Sequence, residues 1–291
     1  MLASLSSQTL VLDPDANMTS RIIIHAVRHA QGYHNIAEDF ELKDPCLTPL
    51  GRVQSIERRK ASFPDQSKFK LVASSPLIRA LHTAYLVFHP TIQKQAILAI
   101  PEAQEVTDYH CDTGSDLDVL QAAAAENEWP VDFSLVSHGW FDKSIHGPNS
   151  PVSHASDARA RKVRKILREK GKALRQDTDD DIHIALVAHG SFMHYFSNDW
   201  EKSAVRSGTG WVNCETRRYV FQNDNDDEAW LVETEESREA RGLRGPAPSM
   251  EEQKQLYEVA MLDWIEQGLP DLRHVETASA LPQGKQGRCM L

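Results

Sequence analysis

Three places in the sequence bring together residue types that could handle a phosphoryl group. They are Arg28-His29, Ser74-Ser75-Pro76 with Arg79 close behind, and His189-Gly190. A neutral imidazole can attack phosphorus, and arginines beside it disfavour its charged form and so keep it neutral. The same guanidinium groups grip phosphate oxygens through paired hydrogen bonds. Phosphoryl transfer asks mainly for positioning and charge stabilisation, so two arginines and a second histidine suffice without a metal. A departing alkoxide also needs a proton. A carboxylic acid near the site can supply it, an effect of roughly 10²–10⁴ in rate.

The surrounding pattern must aim these groups at one point. Arg21 to Val27 is a β-branched run that stops at a polar loop, and Leu71 to Ser74 and Ile182 to Ala188 repeat the design. Each reads as a buried strand whose end carries one of the three features. Ligands of open α/β sheets bind beyond the carboxyl ends of the strands, so the spacing predicts convergence. Proline suits a first helical turn, so a helix is expected from Pro76 through Phe88. Others are expected at Leu117–Glu126 and over 154–175, the latter largely solvated and capped by Ser153. Arg218 to Gln222 and Ala229 to Val232 bracket an acidic turn and read as a hairpin. The Asp177–Asp181 and Asp224–Glu228 runs read as solvated loops. After Thr234 a polar linker runs through Pro248. Ser249 with Glu252 then forms a capping box, an amphipathic helix follows, and Gly268 is the expected C-cap. The predicted architecture is a three-layer α/β/α sandwich. Its domain covers 21–234, after a leader at 1–20 and before an extension at 235–291 that holds linker, helix and disordered tail.

Composition narrows the partners. The chain has 291 residues and a formal net charge of −10, which repels nucleic acid and anionic lipid. No membrane association is expected, and a phosphate site would have to be positive against this background. Cys46, Cys111, Cys214 and Cys289 suit reduced thiols in the cytoplasm, and Cys289 stands one place too late for a prenylation box. No basic residue precedes Arg21, so residues 1–20 lack a secretory start and the Asn17-Met18-Thr19 sequon carries no weight. Thirteen histidines invite a metal, but no His-Glu-x-x-His spacing occurs, and neither metal nor cofactor is expected.

The set of motifs resembles the histidine phosphatase superfamily, in its phosphoglycerate-mutase-like branch. The Arg-His-Gly motif with its later asparagine reads Arg28-His29-Ala30-Gln31-Gly32-Tyr33-His34-Asn35. Leu47-Thr48-Pro49-Leu50-Gly51 matches Leu-Thr-x-x-Gly, Ser75 to Thr83 matches Ser-x-x-x-Arg-x-x-x-Thr, and Val187 to Gly190 matches Val-x-His-Gly. Residues 28–35, 101–106, 111–114, 139–143, 189–195 and 199–200 are closer still to fungal intracellular members.

The resemblance implies a phosphomonoester hydrolase acting on a small phosphorylated molecule. His29 would be the nucleophile, with Arg28, Arg79 and His189 completing the phosphate pocket and Asn35 adding a hydrogen bond. Glu105 would be the proton donor, with Glu102 in reserve. Gln31, Gly190, His194 and Lys143 complete the expected substrate-binding set. Ala30 replaces the family glycine. Gly32 stands where many members have a serine or threonine that touches phosphate, which leaves room for two rivals. One is a repurposed enzyme acting on a non-phosphorylated or diphosphate substrate in a biosynthetic pathway. The other is a binding module for a phospho-ligand. The segments that mutases use for bisphosphoglycerate have no match, so mutase activity is not expected.

Overall fold

The apolar run after Arg21 forms the strand β1 (Ile22–Arg28), at the heart of a seven-stranded sheet. The computed structural model describes residues 20–176, 178–204, 208–271 and 273. The expected leader through Thr19, with its sequon, and the tail holding Cys289 lie outside the described residues, as does Asp177 of the first acidic run.

The other strands are β2 (Phe69–Ser74), β3 (Ile97–Ala99), β4 (Val131–Asp132), β5 (Ile182–Ala188), β6 (Thr216–Phe221) and β7 (Leu231–Glu233). The sheet order is β4-β3-β2-β5-β1-β6-β7. The first five strands in that order are parallel, and β6 and β7 add antiparallel at the edge. Register decides the site. Arg28 pairs with Ala188, and Ser74 pairs with both Val187 and Ala99, so four parallel strands end almost level.

Among the described residues the helices are α1 (His34–Ala37), α2 (Pro49–Ser62), α3 (Ile78–Val87), α4 (His89–Ile92) and α5 (Leu117–Glu126). They continue with α6 (Ser153–Arg175), α7 (Gly190–Ser197), α8 (Glu235–Ala240) and α9 (Met250–Glu266). Successive side chains of a strand point to opposite faces. Ile22, Ile24, Ala26, Ile184 and Leu186 accordingly meet α6, α7 and α9 on one face. Val27, Val72, Ala185 and Val187 meet α3 and its neighbour α4 on the other. With both faces covered, β1 and β5 are mainly apolar, as a parallel sheet favours, with His25 and His183 the polar residues inside them. The layers are those predicted.

Four local expectations need correction. The third helix starts at Ile78, because Leu77 is still extended with ψ of 133°. Ser153 is the first residue of α6 and not its cap; it accepts a hydrogen bond from the Tyr195 hydroxyl at 3.2 Å. That helix is also far from solvated, since Arg159, Arg164 and Arg168 are buried on its inner side. Their guanidinium groups find backbone carbonyls there, which offset the cost of burial. Finally, the expected linker contains α8, where the Thr234 side chain accepts from the Ser237 N–H at 3.3 Å.

The capping box at Ser249 and Glu252 forms, and Gly268 adopts φ of 96° just past the end of α9. Ala260, Met261 and Trp264 join the core, so α9 is tied to the sandwich.

Candidate active site

His29 follows β1 directly, where its N–H donates to the Ala188 carbonyl at 2.9 Å. The ring is buried. Its Nδ1 lies 2.8 Å from the Ala30 carbonyl, an acceptor only, so Nδ1 carries the proton. The lone pair therefore sits on Nε2, which accepts from Arg79 Nε at 3.3 Å. Burial, then the charges of Arg79 and Arg28, drive the His29 pKa well below the ordinary histidine value. The side chain is thus a neutral imidazole presenting its unprotonated nitrogen to a guanidinium.

Arg79 is fixed from behind. Its Nη2 meets Asp112 Oδ1 at 2.6 Å, in an ion pair sealed from water, and Nη1 donates to the Cys111 carbonyl at 2.5 Å. The Thr107 hydroxyl donates to the other Asp112 oxygen. Burial pushes the Asp112 carboxyl up, but Arg79 and then Lys143 outweigh it, and Asp112 stays below its usual range. Arg28 donates to the Trp211 carbonyl through Nη1, while its Nε has no hydrogen-bond partner among the described residues.

His189 follows β5, with its ring centre 5.1 Å from that of His29 and its Nε2 2.9 Å from the Ser75 hydroxyl. Burial and then Arg79 depress it in the same way. Gly190 beside it leaves no room for a side chain: a Cβ would fall 2.2 Å from Thr209 Oγ1 and 3.3 Å from Arg28 Nε.

Glu105 comes from the loop after β3. Its carboxylate accepts from Val106 N–H at 2.8 Å and, at the start of α7, from Phe192 N–H at 2.9 Å and Ser191 N–H at 3.1 Å. Burial and the nearby Asp112 raise its pKa, against the pull of those three donors. Glu102, three residues earlier, points to α6 and pairs with Lys162 at 2.5 Å.

Two expected contacts lie elsewhere. Lys143 is buried beneath the Glu105 loop, and its Nζ donates to the carbonyls of Glu105 and Asp112 at 2.8 Å each and to that of Thr107. Arg159 reaches the same loop through the carbonyls of Glu102 and Gln104, both at 2.9 Å. Lys143 is thus a brace and does not face a substrate. His194 is buried in α7, where both ring nitrogens meet backbone carbonyls, of Asp199 and Thr209, and the ring stacks on Trp200. It does not reach the cluster. Gln31 accepts from the Thr48 hydroxyl at 2.8 Å and so ties its loop to the start of α2. Asn35 accepts from Gly32 N–H at 3.0 Å.

His34 and Asp112 escaped the residue-by-residue reading. The His34 ring centre lies 5.6 Å from that of His29, and a Cβ on Gly32 would fall 2.8 Å from the His34 ring. The missing side chain at position 32 is therefore explained by the imidazole that fills its space. Burial and then Arg79 lower His34 to about 3. The signal for both residues lay in the stretches RHAQGYHN and CDTG, where neither spacing nor periodicity marks them out. Among the described residues no group of three or more His, Cys, Asp and Glu could hold a metal ion, and no helix is long and apolar enough to cross a membrane.

The profile of the histidine phosphatase superfamily (branch 1) matches residues 24–231, which span the whole sheet except the last two residues of β7 and the two at the start of β1. The chain belongs to the histidine phosphatase superfamily. A phosphoglycerate mutase-like protein of Arabidopsis thaliana is 26% identical over 242 residues, covering 68% of this chain and 83% of its own. A probable phosphatase of Schizosaccharomyces pombe is 31% identical over 96 residues, 32% of this chain and 44% of its own. Among solved structures, the ecdysone phosphate phosphatase of the silk moth in complex with tungstate superposes with a TM-score of 0.50 at 14% identity, covering 79% of this chain and 94% of the other. This histidine phosphatase thus has the phosphoglycerate-mutase-like fold, and family membership supports phosphatase chemistry for the cluster around His29.

Proposed function

We propose that this histidine phosphatase hydrolyses small phosphomonoesters through a phosphohistidine at His29, without a metal. The observation that carries the reading is the His29 tautomer. Nδ1–H is held by the Ala30 carbonyl, and the lone pair stands on Nε2, where Arg79 Nε donates to it at 3.3 Å until a phosphoryl group takes its place. In the first step Nε2 bonds to phosphorus as the ester P–O bond breaks, and the departing oxygen takes the proton of Glu105. In the second, water attacks phosphorus and returns a proton to the Glu105 carboxylate. The P–N bond then breaks, phosphate leaves, and His29 is again neutral. Arg28, Arg79 and His189 stabilise the phosphoryl oxygens in both steps, which is the part a metal would otherwise play. His34 adds a contact in place of a side chain at residue 32, and Asn35 and Gln31 hold the loop that carries it.

The raised pKa of Glu105 supports its role as the acid, since a donor must keep its proton near neutral pH. The free thiols of Cys46, Cys111 and Cys214 suit a reducing compartment, so we assign the enzyme to the cytoplasm. The RHAQGYHN and CDTG stretches support kinship with the fungal members of the branch.

Rapid quenching without acid during turnover of a phosphomonoester should trap phosphate on His29. His29→Ala should lose at least about 10³ in kcat, as expected for removing a nucleophile. Near-normal hydrolysis by that variant would sink the mechanism, and activity lost to a chelator and restored by a divalent ion would sink the metal-free route.

A further inference from the structure

The residues that open the His29 loop are gripped from outside by the segment 208–215, which precedes β6. Arg28 N–H donates to the Glu215 carbonyl at 3.0 Å, and the Arg28 guanidinium donates to that of Trp211. Cys214 N–H donates to the His29 carbonyl at 3.2 Å. The segment is itself pinned, because Gly208 N–H donates to Gln267 Oε1 at 2.9 Å and Arg217 Nη2 to the Gly210 carbonyl at 3.1 Å. From this platform the Asn213 side chain reaches both ends of the loop. Its Nδ2 donates to the His29 carbonyl at 3.2 Å and to Asn35 Oδ1 at 3.4 Å. An amide nitrogen carries two hydrogens, so both contacts form at once.

A backbone group fixes which way these amides face. Gly32 N–H can only donate, so the Asn35 atom that meets it at 3.0 Å is the oxygen. The Asn213 atom that meets the same oxygen is then a nitrogen, and the His29 carbonyl, an acceptor only, requires the same. With Oδ1 held by two donors, Asn35 has Nδ2 left to offer, and that nitrogen makes no hydrogen bond among the described residues. The polarity decides what the amide can bind. Its nitrogen donates to a phosphoryl oxygen, whereas its oxygen would repel one.

We infer that Asn213 is a positioning residue of the phosphate pocket, which sets the Asn35 amide with Nδ2 toward the phosphoryl group and ties it to the residue bearing the nucleophile. The inference rests on the reading of the His29 cluster as that pocket. Without the Asn213 donor, the Asn35 oxygen is held by Gly32 alone and the amide is free to turn. The His29 carbonyl keeps the Cys214 N–H as a donor, so the loss falls on Asn35.

Inorganic phosphate tests the pocket without turnover. Titration calorimetry on the full chain should show Asn213→Ala binding phosphate at least about 10-fold more weakly than the wild type, the effect of one hydrogen bond to a charged group. Asn35→Ala should weaken binding to a similar degree. The double variant should bind no worse than the weaker single one, because Asn213 acts through Asn35. Asn213→Leu, close to asparagine in shape but without a donor, gives the same readout should the alanine variant fail to fold. Additive losses would overturn the role, as would wild-type phosphate affinity in an Asn213 variant, whatever its melting temperature. A wild type that binds no phosphate would overturn the pocket and this role together. A failure to trap phosphohistidine would overturn the hydrolytic reading while leaving the binding result intact.

Discussion

A hydroxyl at residue 32 and an imidazole at residue 34 compete for one space. The Cβ of a serine there would lie 2.8 Å from the His34 ring, closer than side-chain atoms approach, so one of them must move. Gly32→Ser should therefore lower kcat/KM by about 10-fold or more through displacement of His34. Adding His34→Ala should restore part of the loss, because the hydroxyl then has both room and phosphate within reach. The double-mutant cycle checks this, and additive losses would separate the two residues. The proton donor is decided at the same scale. An alkyl phosphate leaves as a basic alkoxide and needs the proton, whereas an activated aryl phosphate hardly does. Glu105→Gln should cripple the first and largely spare the second. Glu102→Gln should affect both weakly and equally, since its carboxylate pairs with Lys162. Rates on the two substrate classes give the answer, and the reverse pattern would move the role to Glu102.

The loop bearing Glu105 is held by two buried cations on different elements, Lys143 after β4 and Arg159 on α6. Lys143→Met would leave the carbonyls of Glu105, Thr107 and Asp112 without their shared donor, at about 1–3 kcal/mol for each buried acceptor left unpaired. The variant should melt earlier and lose alkyl phosphatase activity more than aryl, because Glu105 is no longer held in place. Melting curves and the ratio of the two rates check it. An equal loss on both substrates would reduce Lys143 to a purely structural part. Elements of this sort also mark the reach of the sequence. The strands β1 and β5 were legible because burial on both faces demands a run rich in β-branched and apolar residues, which one histidine in each does not hide. The buried side of α6 was not, because a helix rich in arginine reads as solvated until the carbonyls of distant loops supply its partners. The short helix α8 was hidden by its polar composition. His34 at the start of α1 and Asp112 in the segment after the Glu105 loop enter the site through a tertiary meeting that no local pattern encodes, whereas Arg28, His29 and His189 stand at strand ends that the apolar runs themselves delimit.

Taken as a whole, the molecule stores several neutral imidazoles. Burial lowers His25 to about 2, His34 to about 3, and His82 and His183 to about 4, and holds His29 and His189 well below the usual value. The unfolded chain binds protons on these rings below about pH 6.5 while the folded chain does not. Their contribution is therefore harmless above that pH and destabilising below it, and it grows until the folded rings titrate. The melting temperature should drop by roughly 10 °C or more between pH 7 and pH 5, since each proton released on folding steepens the slope. Calorimetry across that range checks it, and a flat profile would mean that the rings are protonated in the native state. The brace beneath Glu105 carries a different consequence. Lys143 and Arg159 grasp only main-chain oxygens of the loop, so the grip takes no account of which side chains the loop displays. An exposed position such as Asp108 is then free to drift while Glu105 keeps its station. A lineage can acquire a new substrate by rewriting this loop without first solving the folding problem again.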